Sequence, residues 1–401
     1  MKSKPTALNV AIIGGGLVGR LLAWRLISNE RFQSNKKVES SGTNISDNGI
    51  NFDVNVFEKG LLTPPQSQSD KAAAFTAAAM ISPMSELVAS ELEIFKLGQQ
   101  SLKLWPRWLD ELGCPQHFHQ QGSLVLAHPN DIGELQQFKR DLSFKLNKYS
   151  NNDPSSNEQS SPDTEPLQIL KDRHQLEAIE PSIHAHFQTG LYLPSEAHID
   201  HDEVLKDLVT KAKELGVDFI ENSPLEPNDE SLKDYDIIFD CRGNGLKEKD
   251  FRGVRGEVIR LECKEIILKR PIRLMHPRYK LYIVPKPNHQ FIIGATEIES
   301  EDRSKISLRS SMELMSALYA VNPAFSEARI LSQDTNLRPA FMDNLPRIET
   351  LQSDFNKPII RINGLYRHGY LIGPALVEQV LNQLLELTTE TTSAIVLEES
   401  A

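Results

Sequence analysis

The chain has 401 residues, and its 44 lysines and arginines against 55 aspartates and glutamates give a formal net charge of −11. This length permits a two-domain enzyme, while an acidic surface repels nucleic-acid phosphates and anionic lipid headgroups. No uninterrupted apolar run approaches the roughly 18 residues that predict a membrane span. Composition therefore argues against nucleic acid as a partner and against membrane insertion.

The cysteines and the N-terminus bear on the compartment. Cys114, Cys241 and Cys263 are scattered without C-x-x-C spacing, so neither a disulfide framework nor a thiolate metal site is expected. The first apolar segment is split by glycines and is followed by no small-residue cleavage site, so we do not expect a signal peptide. Both features predict a cytoplasmic protein.

The first elements in chain order are a strand and a helix joined by glycines. The short β-branched run Val10 to Ile13 predicts a buried strand. From Leu17 onward apolar residues recur at helical spacing, and Ser28 with Asn29 closes the segment. Strand, glycine turn and helix therefore follow one another directly.

The residues Gly14 to Gly19 (GGGLVG) satisfy the G-x-G-x-x-G pattern at this strand–helix junction. Gly14 permits the tight turn, Gly16 lets the backbone approach a pyrophosphate, and Gly19 lets the helix pack closely on the strand. The helix N-terminus then faces the phosphates with partial positive charge. The pattern predicts a dinucleotide site, with a glycine-rich turn of an ordinary α/β domain as the alternative.

A second predicted strand, Phe52 to Glu58, supplies the acidic partner of this site. Glu58 fits the carboxylate that accepts from the ribose hydroxyls, although it lies farther along the chain than the roughly 20 residues that are usual. The polar stretch 33–51, interpreted as an insertion, explains the extra distance. The motif indicates an adenine dinucleotide without separating FAD from NAD.

Later segments repeat the α/β pattern and then change character. The polar stretch 147–166 predicts a long mobile loop that interrupts a domain. Asp202 to Leu215 predicts an amphipathic helix, followed by strands at Val217 to Ile220 and Asp236 to Asp240. Between Gly256 and Thr296, alternating runs predict a predominantly antiparallel sheet. We place the substrate domain there.

Two histidine pairs have H-x-H spacing. They are His117 with His119 and His184 with His186. Neither pair has companions at metal-site spacing along the chain, so no metal site is predicted.

Several ordered blocks resemble the D-amino-acid oxidase superfamily, and most closely the glycine oxidases of thiamine biosynthesis (ThiO type). Besides the glycine motif, the blocks are Ala77 to Ile81 (AAAMI), Gly122 to Val125 (GSLV), Asp236 to Gly245 (DIIFDCRGNG), Val254 to Glu257 (VRGE), Leu281 to Pro285 (LYIVP), Gly294 to Thr296 (GAT), Leu337 to Pro339 (LRP) and Gly364 to Gly369 (GLYRHG). The resemblance runs along nearly the whole chain.

The resemblance implies an α/β fold in which a Rossmann-like FAD-binding domain carries a second domain with a mixed or antiparallel sheet. This is the two-domain architecture of D-amino-acid oxidase and glutathione reductase, with FAD held noncovalently. We place the discontinuous FAD-binding domain at residues 1–115, 180–250 and 336–390. The substrate-binding domain is placed at 116–179 and 251–335.

The resemblance also implies roles for particular residues. Arg338 matches the arginine that pairs with the substrate carboxylate, Tyr282 the tyrosine that closes that end of the site, and Arg367 an arginine near the flavin and the substrate entrance. A structural salt bridge remains the alternative for Arg338, and an ordinary strand tyrosine for Tyr282. The residues implied to hold FAD are Gly14, Gly16, Leu17, Gly19, Glu58, Lys59, Ala79, Met80, Gly369, Leu371 and Ile372.

One departure leaves the substrate open. Glu297 stands where a branch of the glycine oxidases has an apolar methionine against the substrate. Two alternatives follow: its carboxylate hydrogen-bonds a larger or basic substrate, or it points away from the pocket. His368, beside Arg367, is a second pocket candidate, with a loop histidine bonded to backbone as the alternative.

These residues suit the oxidation of an amino acid. The substrate is a zwitterion, and the planar fork of Arg338 is suited to its carboxylate, at about 1.5 to 3 kcal/mol per hydrogen bond. The resemblance implies transfer of the α-hydride of a small amino acid to flavin N5, with dioxygen as acceptor, giving hydrogen peroxide and an imine for thiazole synthesis. A D-amino-acid dehydrogenase that uses a quinone and a non-catalytic flavin-binding maturation protein stay open, as does a homo-oligomeric state.

Overall fold

The computed structural model describes residues 7–32, 50–64, 71–152, 166–277 and 280–399. The strands are β1 (Leu8–Ile13), β2 (Phe52–Phe57), β3 (Met80–Ile81), β4 (Phe118–His119), β5 (Ser123–Ala127), β6 (Gln168–Leu170), β7 (Gly190–Leu193), β8 (Ala197–Ile199), β9 (Asp218–Ile220), β10 (Ile237–Asp240), β11 (Phe251–Glu262), β12 (Ile272–Met275), β13 (Lys280–Lys286), β14 (Gln290–Gly294), β15 (Arg329–Phe341), β16 (Arg347–Gln352) and β17 (Pro358–Asn363). The helices are α1 (Leu17–Ser28), α2 (Pro83–Leu87), α3 (Leu92–Leu112), α4 (Ile132–Asn152), α5 (Arg173–Ile179), α6 (His201–Glu214), α7 (Leu308–Val321) and α8 (Gly369–Glu399).

A six-stranded sheet with the order β16-β17-β10-β1-β2-β9 forms the first layer. All neighbouring strands are parallel except the edge strand β16. The carboxyl ends of β1, β2 and β10 therefore meet at one edge, which is where open α/β sheets bind their ligands. The strands predicted at Val10 to Ile13, Phe52 to Glu58, Val217 to Ile220 and Asp236 to Asp240 are confirmed in this sheet as β1, β2, β9 and β10.

Helices α1, α3, α6 and α8 build the main core against this sheet. The apolar residues of α1 and α3 interlock through Trp24 and Trp108, whose ring centroids lie 6.1 Å apart in an edge-on arrangement. Trp105 is fully buried and donates from its indole nitrogen to the carbonyl of Tyr370 on α8. None of the described helices is apolar over enough of its length to cross a bilayer.

An eight-stranded sheet with the order β15-β11-β14-β13-β12-β5-β7-β6 forms the second layer. Every neighbouring pair is antiparallel except β5 with β12, so the sheet is mixed. The antiparallel run predicted between Gly256 and Thr296 lies in its middle. A small sheet with the order β3-β8-β4 stands apart from both.

The pairing of β7 and β15 bears on the placement of the domains. The β7 strand falls in the segment 180–250 assigned above to the FAD-binding domain, yet it pairs with β5 and β6. The β15 strand pairs with β11 along its length and runs across position 336. We therefore propose that the segment from 180 to the end of β7 belongs with the second sheet.

One predicted loop is partly helical. The stretch 147–166 was expected to be a loop, but α4 continues to Asn152, so the expectation is wrong for its first residues. The reason is that Leu142, Leu146 and Tyr149 keep the helical apolar period, and the Tyr149 ring packs edge-on against Phe95, 5.4 Å between centroids. Residues 153–165, like residues 33–49 of the first polar insertion, lie outside the described residues.

A Gly19→Ala substitution tests the close packing of α1. A Cβ built at Gly19 lies 2.0 Å from the carbonyl oxygen of Gly14, and backbone cannot yield as a side chain can. We expect the free energy of unfolding to fall by about 1 to 3 kcal/mol, measured by urea unfolding of the purified protein.

The matched control is Gly133→Ala, since a Cβ at this helical position meets nothing within 4 Å. Its stability should stay the same or rise slightly, because alanine favours helix over glycine by about 1 kcal/mol at most. Equal behaviour of the two variants would contradict the packing argument.

Candidate active site

The glycine turn lies between β1 and α1, at the carboxyl edge of the first sheet. Gly14 has a φ of +108°, and a Cβ there would lie 2.5 Å from the carbonyl oxygen of Cys241. At Gly16 a Cβ would meet only Ala72, at an ordinary 3.7 Å. Protein packing thus demands glycine at the first position, whereas at the second position the described residues leave room for a side chain. Gly16 also caps α1 without a side-chain hydrogen bond, which leaves the helix amides for an anion.

Glu58 follows β2 at the same edge. One carboxylate oxygen accepts from the Gly15 amide at 2.7 Å, and the other accepts from the Gly60 amide at 3.1 Å. These bonds fix the acid beside the glycine turn. Glu58 and Lys59 both line the cavity that starts there.

A cavity of about 630 Å³ runs from the glycine turn to the second sheet. This volume falls within the roughly 300 to 1,000 Å³ of small-molecule and cofactor sites. All predicted site residues line it except Gly19 and Ile372. The lining includes Gly14, Gly16, Leu17, Glu58, Lys59, Ala79, Met80, Tyr282, Glu297, Arg338, Arg367, His368, Gly369 and Leu371.

The two predicted residues outside the lining have packing roles. Gly19 sits behind the turn, against the Gly14 carbonyl. Ile372 is fully buried in the main core, and its amide donates to the carbonyl of His368, the residue before α8, at 2.9 Å. Neither residue is placed to contact a ligand through its side chain.

Arg338, on β15, lies flat against the neighbouring strand. Its Nη1 donates to the carbonyl of Arg255 at 3.1 Å and its Nη2 to the carbonyl of Thr296 at 2.9 Å. The approach requires Gly256, because a Cβ there would lie 2.5 Å from the guanidinium carbon. Among the described residues, no carboxylate forms a direct ion pair with Arg338. The structure therefore holds a fixed guanidinium without a direct ion pair at this end of the cavity, and its charge contributes to the lowered pKa of the nearby Glu297.

Tyr282, on β13, lies beside the same wall. A Cβ at Gly294 would lie 2.8 Å from the Tyr282 hydroxyl, so the glycine at this position leaves room for the phenol. Burial raises the pKa of Tyr282, against the opposing effect of Arg338 and Arg273. The phenol therefore stays protonated at physiological pH and can donate a hydrogen bond.

A partly buried ionic network centred on Glu86 of α2 forms another wall. Its carboxylate accepts from Arg273 at 2.8 Å and contacts the Nε of Arg367 and the Nε2 of His368, each at 3.1 Å. Burial opposes ionisation of Glu86, but Arg273 and Arg367 outweigh it and hold the pKa well below its usual range. Glu86 is therefore a carboxylate at neutral pH.

Glu297 joins the same network from the opposite side. Its carboxylate accepts from the Tyr366 hydroxyl at 2.6 Å and from Arg367 at 2.9 Å. Burial opposes its ionisation, yet the Tyr366 hydrogen bond and the Arg367 charge lower the pKa of Glu297. Glu297 thus lines the cavity, but its charge is already matched by Arg367.

His368 is buried beside Arg367 and Glu86. Burial lowers the pKa of His368, against the opposing effect of Glu86, so the ring is neutral at physiological pH. Its Nδ1 accepts or donates no hydrogen bond within the described residues. The side chain bonds to other side chains, which differs from the backbone-bonded alternative.

Several residues that line the site were not identified from the sequence. Glu86 and Arg273 lie 187 positions apart, so no local pattern joins them. Asn336 directly precedes the LRP block and donates to the Lys71 carbonyl at 3.1 Å and to Thr76 at 3.0 Å. Its place beside that block is a signal that could have found it.

Known proteins similar to this chain share its length and fold. A Rhizobium etli protein assigned the name thiamine biosynthesis oxidoreductase ThiO is 35% identical over 311 residues, covering 77% of this chain and 84% of the relative. The glycine oxidase structure from Bacillus cereus has a TM-score of 0.69 at 21% identity and covers 94% of this chain and 95% of its own. The L-proline dehydrogenase structure from P. horikoshii has a TM-score of 0.67 at 18% identity, with 97% and 95% coverage.

The chain also matches the family described as FAD dependent oxidoreductase (DAO) over residues 9–380. The glycine cradle, the uncapped start of α1 and the long cavity fit such a cofactor. Both observations agree with the fold, in which a Rossmann-like sheet adjoins a mixed sheet. The chain therefore belongs to the DAO family of FAD-dependent oxidoreductases, and its cofactor is FAD.

Proposed function

We propose that this enzyme oxidises the amine of glycine or another small amino acid. Dioxygen accepts the two electrons, so that the products are an imine and hydrogen peroxide. Bound FAD supplies the acceptor for the α-hydride of the substrate. We propose further that the imine is used for the thiazole of thiamine, which the name of the Rhizobium etli relative supports. Three buried free cysteines support a reducing, cytoplasmic setting.

The observation that carries the proposal is the Arg338 guanidinium in the cavity, which forms no direct ion pair with a carboxylate of the described residues. Two of its five N–H donors hold backbone carbonyls and fix the plane of the group. The remaining donors are available to a carboxylate, and an arginine fork suits this contact better than a lysine. Tyr282, protonated because burial raises its pKa, is the second proposed donor to the same carboxylate.

The walls around these donors support a small substrate. Ala78 and Val258, which line the cavity, belong to an apolar cluster against which Met80, Ala295 and the Tyr282 ring pack. Such a wall offers no polar partner to a substrate side chain. We propose that the chain contributes orientation once the substrate ammonium has lost its proton, an effect worth roughly 7 to 11 kcal/mol at its upper reach.

Glu297 is proposed to hold Arg367 and not to recruit a basic substrate. Its two oxygens are engaged by Arg367 and Tyr366, so a substrate ammonium would have to displace an arginine. Arg367 in turn is held by Glu86 at 3.1 Å. Both carboxylates are thus positioning residues for Arg367 at the cavity wall.

The first test is the reduction of the purified yellow protein by glycine without oxygen, with D-amino acids and sarcosine as comparison substrates. We expect glycine to bleach the flavin band, and hydrogen peroxide to form in equal amount when air is admitted. Bleaching without peroxide would replace the oxidase by a dehydrogenase with another acceptor. A band that no amine reduces would leave a flavin protein without this activity.

An Arg338→Ala variant tests the carboxylate contact. We expect the flavin spectrum to persist, because the change lies at the far end of the cavity from the glycine turn. Loss of two charge-assisted hydrogen bonds costs about 3 kcal/mol or more, which raises the apparent Kd for glycine by at least about a hundredfold. Anaerobic flavin reduction at varied glycine concentration measures it.

The matched control is Arg309→Ala, an exposed arginine on α7 outside the cavity lining. Its glycine affinity should equal that of the native enzyme. Unchanged affinity in Arg338→Ala itself would remove that residue from the carboxylate role.

A Glu86→Gln variant tests the ionic network through its pH dependence. The folded-state pKa of Glu86 lies below the unfolded value of about 4.3, so its stabilising effect is full above that pH and is lost as pH falls towards the folded value. The variant should therefore be less stable than native at pH 7, and the difference should shrink below pH about 4.3. Urea unfolding across this range measures it.

Glu134→Gln is the control, because Glu134 lines the cavity but has no ion pair among the described residues. It should change stability little at any of these pH values. A Glu86→Gln difference that stayed constant with pH would show that the lost contacts are not those of an ionised carboxylate.

A further inference from the structure

Two histidine-containing pairs come together on the small sheet. His117 and His119 have H-x-H spacing at β4, and His198 with Asp200 has the same spacing at β8. The strands are antiparallel, with His119 opposite His198. Because residues two apart on a strand share a face, the register supplies companions for His119 that linear spacing could not reveal.

The donor atoms of this cluster lie close together. The Nε2 of His119 is 2.8 Å from the Oδ2 of Asp200, and the Nδ1 of His117 is 3.5 Å from the same oxygen. Donor atoms of His119, His198 and Asp200 all lie within 4.8 Å of one another. Tetrahedral zinc with bonds of about 2.0 to 2.1 Å needs ligand atoms about 3.3 Å apart. The rings of His119 and His198 are stacked with centroids 4.8 Å apart, so they would have to rotate to direct one nitrogen each at a shared ion.

Burial and an unpartnered oxygen point to a ligand. His198 is 4% exposed and Asp200 is 5% exposed. The Oδ1 of Asp200 accepts no hydrogen bond within the described residues, which is costly for a buried carboxylate. His119 is 34% exposed at its side chain and gives an ion access from solvent.

We propose that His119, His198 and Asp200 bind one divalent transition-metal ion of the zinc class, with the fourth position open to solvent. Imidazole and carboxylate donors suit zinc. None of the three residues lines the cavity that runs from the glycine turn to the second sheet, so the site is separate from the proposed reaction. Zinc binding is therefore expected whether or not glycine is the substrate.

The location suggests a structural role for the ion. His198 pairs with Met80 across β3 as well as with His119, and the Ile199 amide donates to the Ala79 carbonyl at 3.0 Å. Ala79 and Met80 line the flavin cavity. An ion that joins β4 to β8 would therefore stiffen the strand that supports this part of the cavity wall.

The nearby charges permit a cation. Asp207 lies 3.7 Å from the Nε2 of His117 and adds negative charge. Lys286 is the opposing neighbour, and it donates to the Ile199 carbonyl. The carboxylates of Asp200 and Asp207 therefore face one neighbouring cation.

The test is zinc binding to the FAD-loaded enzyme after treatment with a chelator and gel filtration. Calorimetric titration with zinc chloride should show one equivalent with an apparent Kd of about 1 μM or tighter. Cobalt in place of zinc should give visible absorption at longer wavelength than the flavin bands. Absence of a stoichiometric site would overturn the proposal.

Variants locate the site. Asp200→Asn is nearly isosteric, and Asp200 makes no side-chain capping bond to α6, so the fold should survive, as the flavin spectrum and circular dichroism will report. His119→Gln is the second variant, at the most exposed ligand. Each should weaken zinc binding at least about tenfold.

His184→Gln is the matched control, because it removes a histidine from the other H-x-H pair. It should retain one equivalent of zinc at native affinity. Loss of zinc in this control, or native affinity in folded Asp200→Asn and His119→Gln, would place the ion elsewhere and overturn the assignment.

Discussion

The close approach of α1 to the turn that precedes it fixes the geometry of the cofactor end. Gly19 allows it, since any Cβ would collide with the Gly14 carbonyl. Beside it, Arg20 is 1% exposed and donates to carbonyls in the turn itself, at Leu62 after β2 and at Leu205 in α6, each at 2.6 Å. A buried cation is tolerable only when its donors are satisfied, and here three chain segments satisfy them. Strand, turn and both helices are therefore held together around one guanidinium.

At the other end of the cavity, two arginines differ in their ion pairing. Arg367 is paired with Glu86 and Glu297, whereas the hydrogen bonds that Arg338 makes to described residues go to backbone carbonyls. A guanidinium with unused donors suits the proposed carboxylate, whereas the ion pairs around Arg367 already match the charge of that arginine. The glycines beneath Arg338 and Tyr282 matter because they let both groups lie against the strands instead of filling the pocket.

Local patterns predicted the parts of this molecule that local physics determines. The glycine turn is encoded in one short segment, and strands and amphipathic helices are recognised from the periodicity of their apolar residues. Glu86 and Arg273 meet only because α2 lies over β12, which no spacing records. Likewise the sequence left Glu297 with two alternatives, since its partner Arg367 is 70 positions away. The helical start of the second polar insertion was missed because its few apolar residues are diluted by polar ones.

The small sheet shows how distant parts of the chain share a constraint. Ala79 has a left-handed backbone, with a φ of 57°, and lies in the cavity wall. Such a conformation costs a non-glycine residue roughly 1 to 3 kcal/mol and persists where neighbours hold it. Its carbonyl is held by the Ile199 amide of β8, between His198 and Asp200. Contacts that fix the side chains of His198 and Asp200 therefore also fix the backbone of this part of the cavity wall, although neither side chain lines the cavity.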